Sequence, residues 1–353
     1  MTDQNTSKLF AGTMPVSEKH GFDTKKLNDY LAEHLENFSG PITVEEFKGG
    51  QSNPTYLIKT STDSYVLRRK PPGLLLKSAH AVDREYKVIK ALNMTDVPVP
   101  IAYLHCEDES VIGTEFFLMS FVEGTVFWEP HIPEAKDNKQ RSDIYKSLSE
   151  TIYKLHNVKP SDIGLEDYGR PGNYVARQVS RWSKQYIASE TETIEAMNNL
   201  MEWLPENLPT EKPLCLVHGD FSLTNVIIDN ESDQVASILD WELSTLGDPM
   251  ADFSYHCLQY KLNPILSDAA QCKNLGIPTE KQYLKLYADK VDYYIDSEWD
   301  LYMSFNLFKL AGISQGIMGR VRDGTAAGVN AEETGMRARL LAESAWDLVK
   351  DRT

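Results

Sequence analysis

The chain predicts an α+β fold with a small β-rich first part and a larger helical remainder, on three observations. Between positions 42 and 121, runs of β-branched and aromatic residues alternate with Gly, Pro and Ser/Thr/Asp turns. Beyond Gly124, apolar residues recur at helical spacing over long stretches. A length of 353 residues exceeds what one hydrophobic core comfortably fills, so two lobes are expected. Strands first and helices later is the α+β order. The lobes fall at about 1–122 and 123–353.

Each element has its own signal. Residues 1–22 read as loosely ordered. Asp23 suits a helix N-cap, and Leu27, Tyr30, Leu31 and Leu35 follow at helical spacing, which predicts a leading helix over 24–37. Strands are predicted over 42–47 and 55–60, flanking Lys48-Gly49-Gly50-Gln51-Ser52-Asn53, and a third over 64–68 after a polar turn. Pro71-Pro72-Gly73 breaks the pattern before a helix over 83–92 with Tyr86, Ile89 and Leu92 on one side. Pro98 and Pro100 precede two further strands, over 101–106 and 115–121. A helix over 143–156 carries Ile144, Leu148, Ile152 and Leu155. The segment 169–172 is a loop, 173–203 reads as helix, 214–240 is a β-island, and helices return from 282 to the end. Neither repeats nor low-complexity tracts interrupt this order.

Composition narrows the function. The formal charge of -16 argues against a nucleic-acid partner, which needs a concentrated basic face. Cys106, Cys215, Cys257 and Cys272 show neither C-x-x-C spacing nor zinc-finger histidines, so free thiols in a reducing compartment are expected. The first ten residues lack the apolar stretch of a signal peptide, and the run 116–122 is too short to span a bilayer. A cytoplasmic chain without a membrane partner is the expectation.

The strongest chemical signal is His218-Gly219-Asp220-Phe221-Ser222-Leu223-Thr224-Asn225, followed by Ile238-Leu239-Asp240-Trp241. Between them, 226–228, a polar turn and 235–239 form a β-hairpin pattern. A hairpin returns the chain beside its own start, so Asn225 and Asp240 should finish close together. Phosphoryl transfer needs this set: an Asp to receive or orient a hydroxyl (Asp220), and an Asn and a second Asp to supply oxygen ligands to Mg²⁺ on nucleotide phosphates (Asn225, Asp240).

The segment 218–225 resembles the catalytic loop of kinases, with Gly219 where protein kinases usually carry Arg. Leu239-Asp240-Trp241-Glu242 stands where they carry Asp-Phe-Gly. Both substitutions resemble the aminoglycoside phosphotransferase and choline kinase branch. The longer stretch from Leu239 to Asp252 is similar to the phosphotransferase-like domain fused to some acyl-CoA dehydrogenases and its free-standing bacterial relatives. The resemblance runs from about residue 25 to near the C-terminus. It implies a protein-kinase-like two-lobed fold, ATP and Mg²⁺ as cofactors, and a small hydroxylated molecule as acceptor. His218 is read as bracing the loop, Asp252 as a buried helix-start aspartate that pins the loop backbone, and Asp248 as a turn residue.

On the nucleotide side, Gly49 and Gly50 suit a loop that brings backbone N–H groups to phosphates, with Ser52 and Asn53 as added donors. By the resemblance, Arg68 occupies the place of the strand-borne lysine that holds the α- and β-phosphates. Strand alternation sends Lys70 to the same face, so Lys70 is an alternative. Glu85 should present a carboxylate to this cation. Met119, Ser120, Phe121 and Val122 stand where the family has the linker whose backbone reads the adenine edge.

Arg177, Arg181 and Lys184 share one helical face, beside Trp182. This face is either solvated or a site for an anionic substrate group, with Arg177, Arg181 and Trp182 as its candidates. An anionic or acyl-type hydroxy substrate is one expectation, and a true aminoglycoside- or choline-type kinase the alternative. A nucleotide-binding pseudokinase is disfavoured because Asp220, Asn225 and Asp240 are all present. A protein kinase is disfavoured because only a dozen residues separate Asp240 from Asp252, too few for an activation loop.

Overall fold

The computed structural model describes residues 12–48, 53–71, 81–293, 296–326 and 330–352, without the side chain of Asp296. Contacts group the chain into two compact units, each discontinuous in sequence. The first comprises Met1–Glu166, Ser222–Ser244 and Ala270–Pro278; the second comprises Asp167–Phe221, Thr245–Ala269 and Thr279–Thr353. These units cut the chain differently from a single break at 122/123, because residues 123–166, the 222–244 hairpin and 270–278 group with the first 122 residues. Ile238 N–H donates to Pro98 O at 2.8 Å, Val235 N–H to Ser147 Oγ at 2.8 Å, and Thr125 pairs with Ile228.

In the first unit, a six-stranded antiparallel sheet has the order β1-β2-β3-β4-β6-β5. The strands are β1 (Thr13–Pro15), β2 (Thr43–Phe47), β3 (Thr55–Lys59), β4 (Ser64–Arg69), β5 (Ala102–Cys106) and β6 (Phe116–Ser120). Helix α1 (Thr24–His34) is capped by Asp23, whose carboxylate accepts from Lys25 and Lys26 N–H at 3.0 Å each. It buries Leu27 and Leu31 in a cluster with Tyr56, Ile58, Leu67, Phe116 and Leu118. The helix stops before the expected residue 37, because Leu35 is already extended and Asn37 adopts positive φ. The segment read as loosely ordered contains β1, which adds to the sheet edge through Thr13↔Phe47. Helix α2 (Val82–Leu92), helix α3 (Asn138–Asn157) and the hairpin of β8 (Val226–Ile228) with β9 (Val235–Ile238) also belong to the unit.

The second unit is helical around one short antiparallel pair, β7 (Cys215–Val217) with β10 (Thr245–Gly247). The expected helix over 173–203 is two: α4 (Tyr174–Ser189) and α5 (Glu195–Glu206). Between them the backbone turns its polar groups to side chains instead of continuing the ladder. Gln315 Nε2 donates to Ser189 O at 2.7 Å and Thr191 Oγ1 at 2.9 Å, and Arg322 Nη1 to Glu190 O at 3.1 Å. Helices α6 (Pro249–Cys257) and α7 (Glu280–Ala288) follow, then α8 (Trp299–Arg322) and α9 (Ala331–Asp347). Every residue of α8 from Trp299 to Phe308 except Asp300 is buried, as a helix at the centre of a bundle must be.

Candidate active site

The site residues divide between the two units. In the first, the pleat of β4 sends successive side chains to opposite faces. Arg69 goes inward, where its guanidinium donates to Tyr56 Oη, His20 O and Ile112 O. Arg68 goes the other way and donates through Nε to Glu85 Oε2 at 2.8 Å and through Nη2 to Asp240 Oδ1 at 2.6 Å. Arg68 and Glu85 are 8% and 1% exposed. Lys70, the other candidate cation, is paired with Glu115, which also meets His105 Nε2 at 2.7 Å. The strand arginine thus has its helix-borne carboxylate, and Lys70 is engaged elsewhere.

Burial pushes the Glu85 carboxyl up to about 7, against the pull of Arg68. A carboxyl raised above its unfolded value supports the fold at low pH and loses that support as pH climbs through the folded value. Arg68→Leu removes the counter-charge. It should destabilise the protein by about 3–5 kcal/mol, the usual effect of orphaning a buried charge. Denaturant titrations should show the deficit widening above about pH 7, where Glu85 must ionise without a partner. A deficit independent of pH from mildly acidic to mildly basic solution would contradict this.

Asn225 and Asp240 are brought together by the hairpin. Val226 pairs with Ile238, and Leu239 N–H donates to Asn225 O at 2.8 Å. Asp240 then adopts the left-handed region (φ 64, ψ 64), which an aspartate tolerates better than most side chains. The next residue, Trp241, is fully buried and donates through Nε1 to Ile238 O at 3.2 Å, anchoring that turn. One carboxylate and one amide oxygen are hard donors that suit Mg²⁺. Among the described residues no group of three or more His, Cys, Asp or Glu could hold a metal ion. The pair therefore fits an ion that completes its shell with phosphate oxygens and water, not a protein cage.

Other nucleotide-side candidates fall as follows. Gly49, Gly50 and Ser52 lie outside the described residues; Asn53, two positions before β3, is buried. Met119 pairs with Val66 and Ala102 inside the sheet. Ser120 N–H donates to Ile101 O at 2.9 Å and Phe121 N–H to Ser64 O at 3.4 Å.

In the second unit β7 delivers His218-Gly219-Asp220. Gly219 has φ 84, a conformation that favours glycine. Asp252, 3% exposed on the first turn of α6, accepts from His218 N–H at 2.8 Å and Gly219 N–H at 2.7 Å. The His218 ring accepts from Asp220 N–H through Nδ1 at 3.2 Å. Asp248 does more than turn the chain. Its carboxylate caps α6 by accepting from Met250 and Ala251 N–H, and takes the Tyr302 hydroxyl at 2.9 Å. His256, held near 4 by burial and so neutral at pH 7, braces Phe221 O at 3.2 Å and Tyr283 Oη at 2.8 Å.

Two residues at this loop escaped the sequence reading. The Tyr255 hydroxyl hydrogen-bonds Asp220, and burial beside that carboxylate pushes the phenol's proton affinity up. Lys309 Nζ lies 4.3 Å from the Tyr255 ring centroid. Signals existed: Tyr255 follows Asp252 by three positions, hence on one helix face, and Lys309 is the one cation of its apolar helix before the last turn, where Arg320 and Arg322 stand. The basic face is divided. Arg177 donates to Arg170 O at 2.9 Å and Pro171 O at 3.3 Å, Arg181 stacks 5.3 Å over Trp182, and Trp182 is buried with Nε1 bonded to Gln178 Oε1 at 3.1 Å.

A strand-borne arginine paired with a helix carboxylate, behind a hairpin that joins Asn to Asp, defines a kinase-like phosphotransferase. The chain belongs to the phosphotransferase enzyme family (APH), whose model matches residues 43–282. It is 41% identical over 341 residues to mouse (Mus musculus) acyl-CoA dehydrogenase family member 10, covering 95% of this chain and 32% of that protein. It is 39% identical over 347 residues to rat (Rattus norvegicus) family member 11, covering 95% and 44%. The chain thus spans about a third to less than half of these relatives. Among solved structures, a provisionally assigned aminoglycoside phosphotransferase from Ralstonia eutropha superposes with TM-score 0.86 at 45% identity, covering 94% of this chain and 99% of that one. The aminoglycoside phosphotransferase APH(4)-Ia, solved with AMP-PNP and hygromycin B, shares the fold at TM-score 0.60 and 14% identity, covering 90% and 98%. No helix of the described residues is long and apolar enough to cross a membrane.

Proposed function

We propose that the chain is an ATP-dependent kinase that moves a γ-phosphate onto the hydroxyl of a small molecule. The observation that carries this reading is the joining of Asn225 to the Asp240 turn, with Arg68 bridging Asp240 and Glu85. Arg68 binds nucleotide phosphate oxygens, and Glu85 holds its guanidinium in place. Asn225 and Asp240 hold Mg²⁺, which when bound neutralises phosphate charge. Asp220 orients the acceptor hydroxyl and accepts its proton. The Gly49-Gly50 loop, Ser52 and Asn53 add donors to the phosphates, and the stretch from Met119 to Val122 reads the adenine through backbone groups other than the Ser120 and Phe121 N–H, which the sheet already occupies. Lobes at about 1–122 and 123–353 divide nucleotide from acceptor. Positioning and charge neutralisation suffice for such a transfer, without a covalent intermediate.

The acceptor is an anionic or acyl-type hydroxy compound. A site for cationic aminoglycosides must pair several ammonium groups with acids. The segment bordering the acceptor instead carries Arg170, Arg177, Arg181 and Lys184 against Glu166 and Asp167. Likeness to proteins named as acyl-CoA dehydrogenase family members supports the same direction. A nucleotide-consumption screen of the purified protein against hydroxy acids, hydroxyacyl thioesters, sugars, choline and aminoglycosides tests it. Phosphorylation of a hydroxy acid or thioester is expected. Faster turnover of kanamycin-like compounds than of any acid or thioester would overturn the acceptor class.

A further inference from the structure

Helix α8 is largely buried and apolar, yet it carries a polar row on the face it turns to α6. Tyr302, Asn306 and Lys309 stand at i, i+4 and i+7 and so share one side of the helix. Tyr302 Oη donates to Asp248 Oδ2 at 2.9 Å. Asn306 Nδ2 donates to Ala251 O at 2.9 Å and to Ser254 Oγ at 2.8 Å. Lys309 Nζ stands over the Tyr255 ring, 4.3 Å from its centroid, and donates to Gly219 O at 3.5 Å. Packing accounts for the first two residues, which satisfy buried groups of α6. It does not account for the third, because a half-buried ammonium on a long side chain costs entropy and desolvation that an apolar residue would not.

What lies under the ammonium accounts for it. Helix α6 holds residues 218 to 221 one after another. Asp252 accepts from the His218 and Gly219 N–H groups at 2.8 and 2.7 Å, the Tyr255 hydroxyl bonds the Asp220 carboxylate, and His256 meets Phe221 O at 3.2 Å. Asp252 and His256 take backbone groups here, whereas Tyr255 takes the side chain that the kinase reading makes the base. Burial beside that carboxylate pushes the phenol's proton affinity up, so Tyr255 stays protonated and is the donor. A carboxylate that accepts one such bond is held ionised and in one orientation, and its second oxygen remains for another donor. The cation over the ring face secures the phenol. It also takes the carbonyl of Gly219, whose N–H Asp252 already holds, so the peptide leading into Asp220 is gripped from two helices. Asp252 and Asp220 act to keep Lys309 charged, against burial and Arg181 on α4, and the His218 ring accepts from Asp220 N–H.

We propose that Tyr255 and Lys309 are positioning residues for Asp220: the phenol fixes one carboxylate oxygen, the ammonium fixes the phenol and the Gly219 carbonyl, and the other oxygen is left for the acceptor hydroxyl. The use of Asp220 as a base rests on the kinase reading; the hold on its carboxylate does not. In the transfer, the acceptor oxygen bonds to the γ-phosphorus, the bond from that phosphorus to the departing ADP oxygen breaks, and the hydroxyl proton passes to the free Asp220 oxygen. Tyr255 and Lys309 keep their own protons throughout.

Two double-mutant cycles in the full chain test the two parts. The first needs no acceptor: denaturant unfolding of the parent, Tyr255→Phe, Asp220→Ala and the double variant. Tyr255→Phe keeps the ring under the ammonium and removes only the hydroxyl, so the chain should fold. It should lower the unfolding midpoint of the parent, and lower that of Asp220→Ala by less than half as much, because the carboxylate is gone. Equal losses in both backgrounds would overturn the hold on Asp220. The second cycle follows Mg-ATP hydrolysis, with water as the acceptor. Tyr255→Phe should lower kcat about tenfold, the weight of one hydrogen bond to a charged group, with KM for ATP within about twofold. In Asp220→Asn the same change should cost nothing further, since the group it positions no longer acts as a base. Lys309→Met should lose several-fold in kcat, and Lys309→Arg, which keeps the charge, should recover part of that loss. An equal kcat loss in the Asp220→Asn background, a raised KM with kcat intact, or a parental kcat in Lys309→Met would overturn the positioning role. A parent that neither hydrolyses ATP nor phosphorylates any compound of the screen would sink the kinase reading, while the denaturant cycle would still decide whether Tyr255 holds Asp220.

Discussion

Replacing Asp240 by alanine is expected to weaken Mg²⁺-dependent nucleotide binding by about 10²-fold or more, the scale of losing a charged metal ligand at a phosphate site. Fold stability should move little. With Glu85 ionised, Arg68, Glu85 and Asp240 together carry one net negative charge, and removing Asp240 leaves a neutral buried pair still joined at 2.8 Å. Asp240→Asn guards against a backbone explanation, since asparagine tolerates the left-handed turn at φ 64 that alanine resists. Asp240→Asn should therefore melt close to the parent and Asp240→Ala somewhat lower, while calorimetry shows the Mg-nucleotide heat diminished in both. Asn225→Ala should be milder, because a neutral oxygen is lost instead of a carboxylate. Normal Mg²⁺ and nucleotide binding in Asp240→Asn would put the metal elsewhere.

Much of this arrangement was legible because its determinants are local. The hairpin pattern between Asn225 and Asp240 depends on alternation and a polar turn, both visible in 226–238. The pairing of Arg68 with a carboxylate on α2 followed from strand order and family resemblance. The features that escaped depend on tertiary partners. β1 exists because Thr13–Pro15 meets an open edge of β2, where Thr13 Oγ1 also donates to Glu45 at 2.5 Å. No propensity in those residues announces it. The interruption between α4 and α5 is fixed by Gln315 and Arg322, more than a hundred positions away. Asp248 read as a turn because Gly-Asp-Pro is turn chemistry. The same Pro at the first helical position marks a helix start, and Tyr302 completes the cap. Lys309 was invisible for a different reason: its relation to Tyr255 and Gly219 requires three segments to be folded together.

Asp220→Asn should lower turnover by about 10²–10⁴-fold, the range of a general base and orienting group. The substitution removes a proton acceptor with almost no change of shape. Its effect on structure should be small, because the loop backbone is held from elsewhere. Asp252 takes the His218 and Gly219 amides, the His218 ring takes the Asp220 amide, and His256 braces Phe221. Tyr255 can still donate to the amide oxygen of the substituted side chain, so the local hydrogen bond survives. Nucleotide affinity should be unchanged, since Arg68, Asn225 and Asp240 are untouched. Single-turnover measurements with a hydroxylated acceptor found by the screen would separate these effects. The expected pattern is a slow chemical step, intact Mg-nucleotide binding and a melting temperature near that of the parent. Turnover close to the parent's would remove Asp220 from the role of base, whereas lost turnover with lost nucleotide binding would mark the residue as structural.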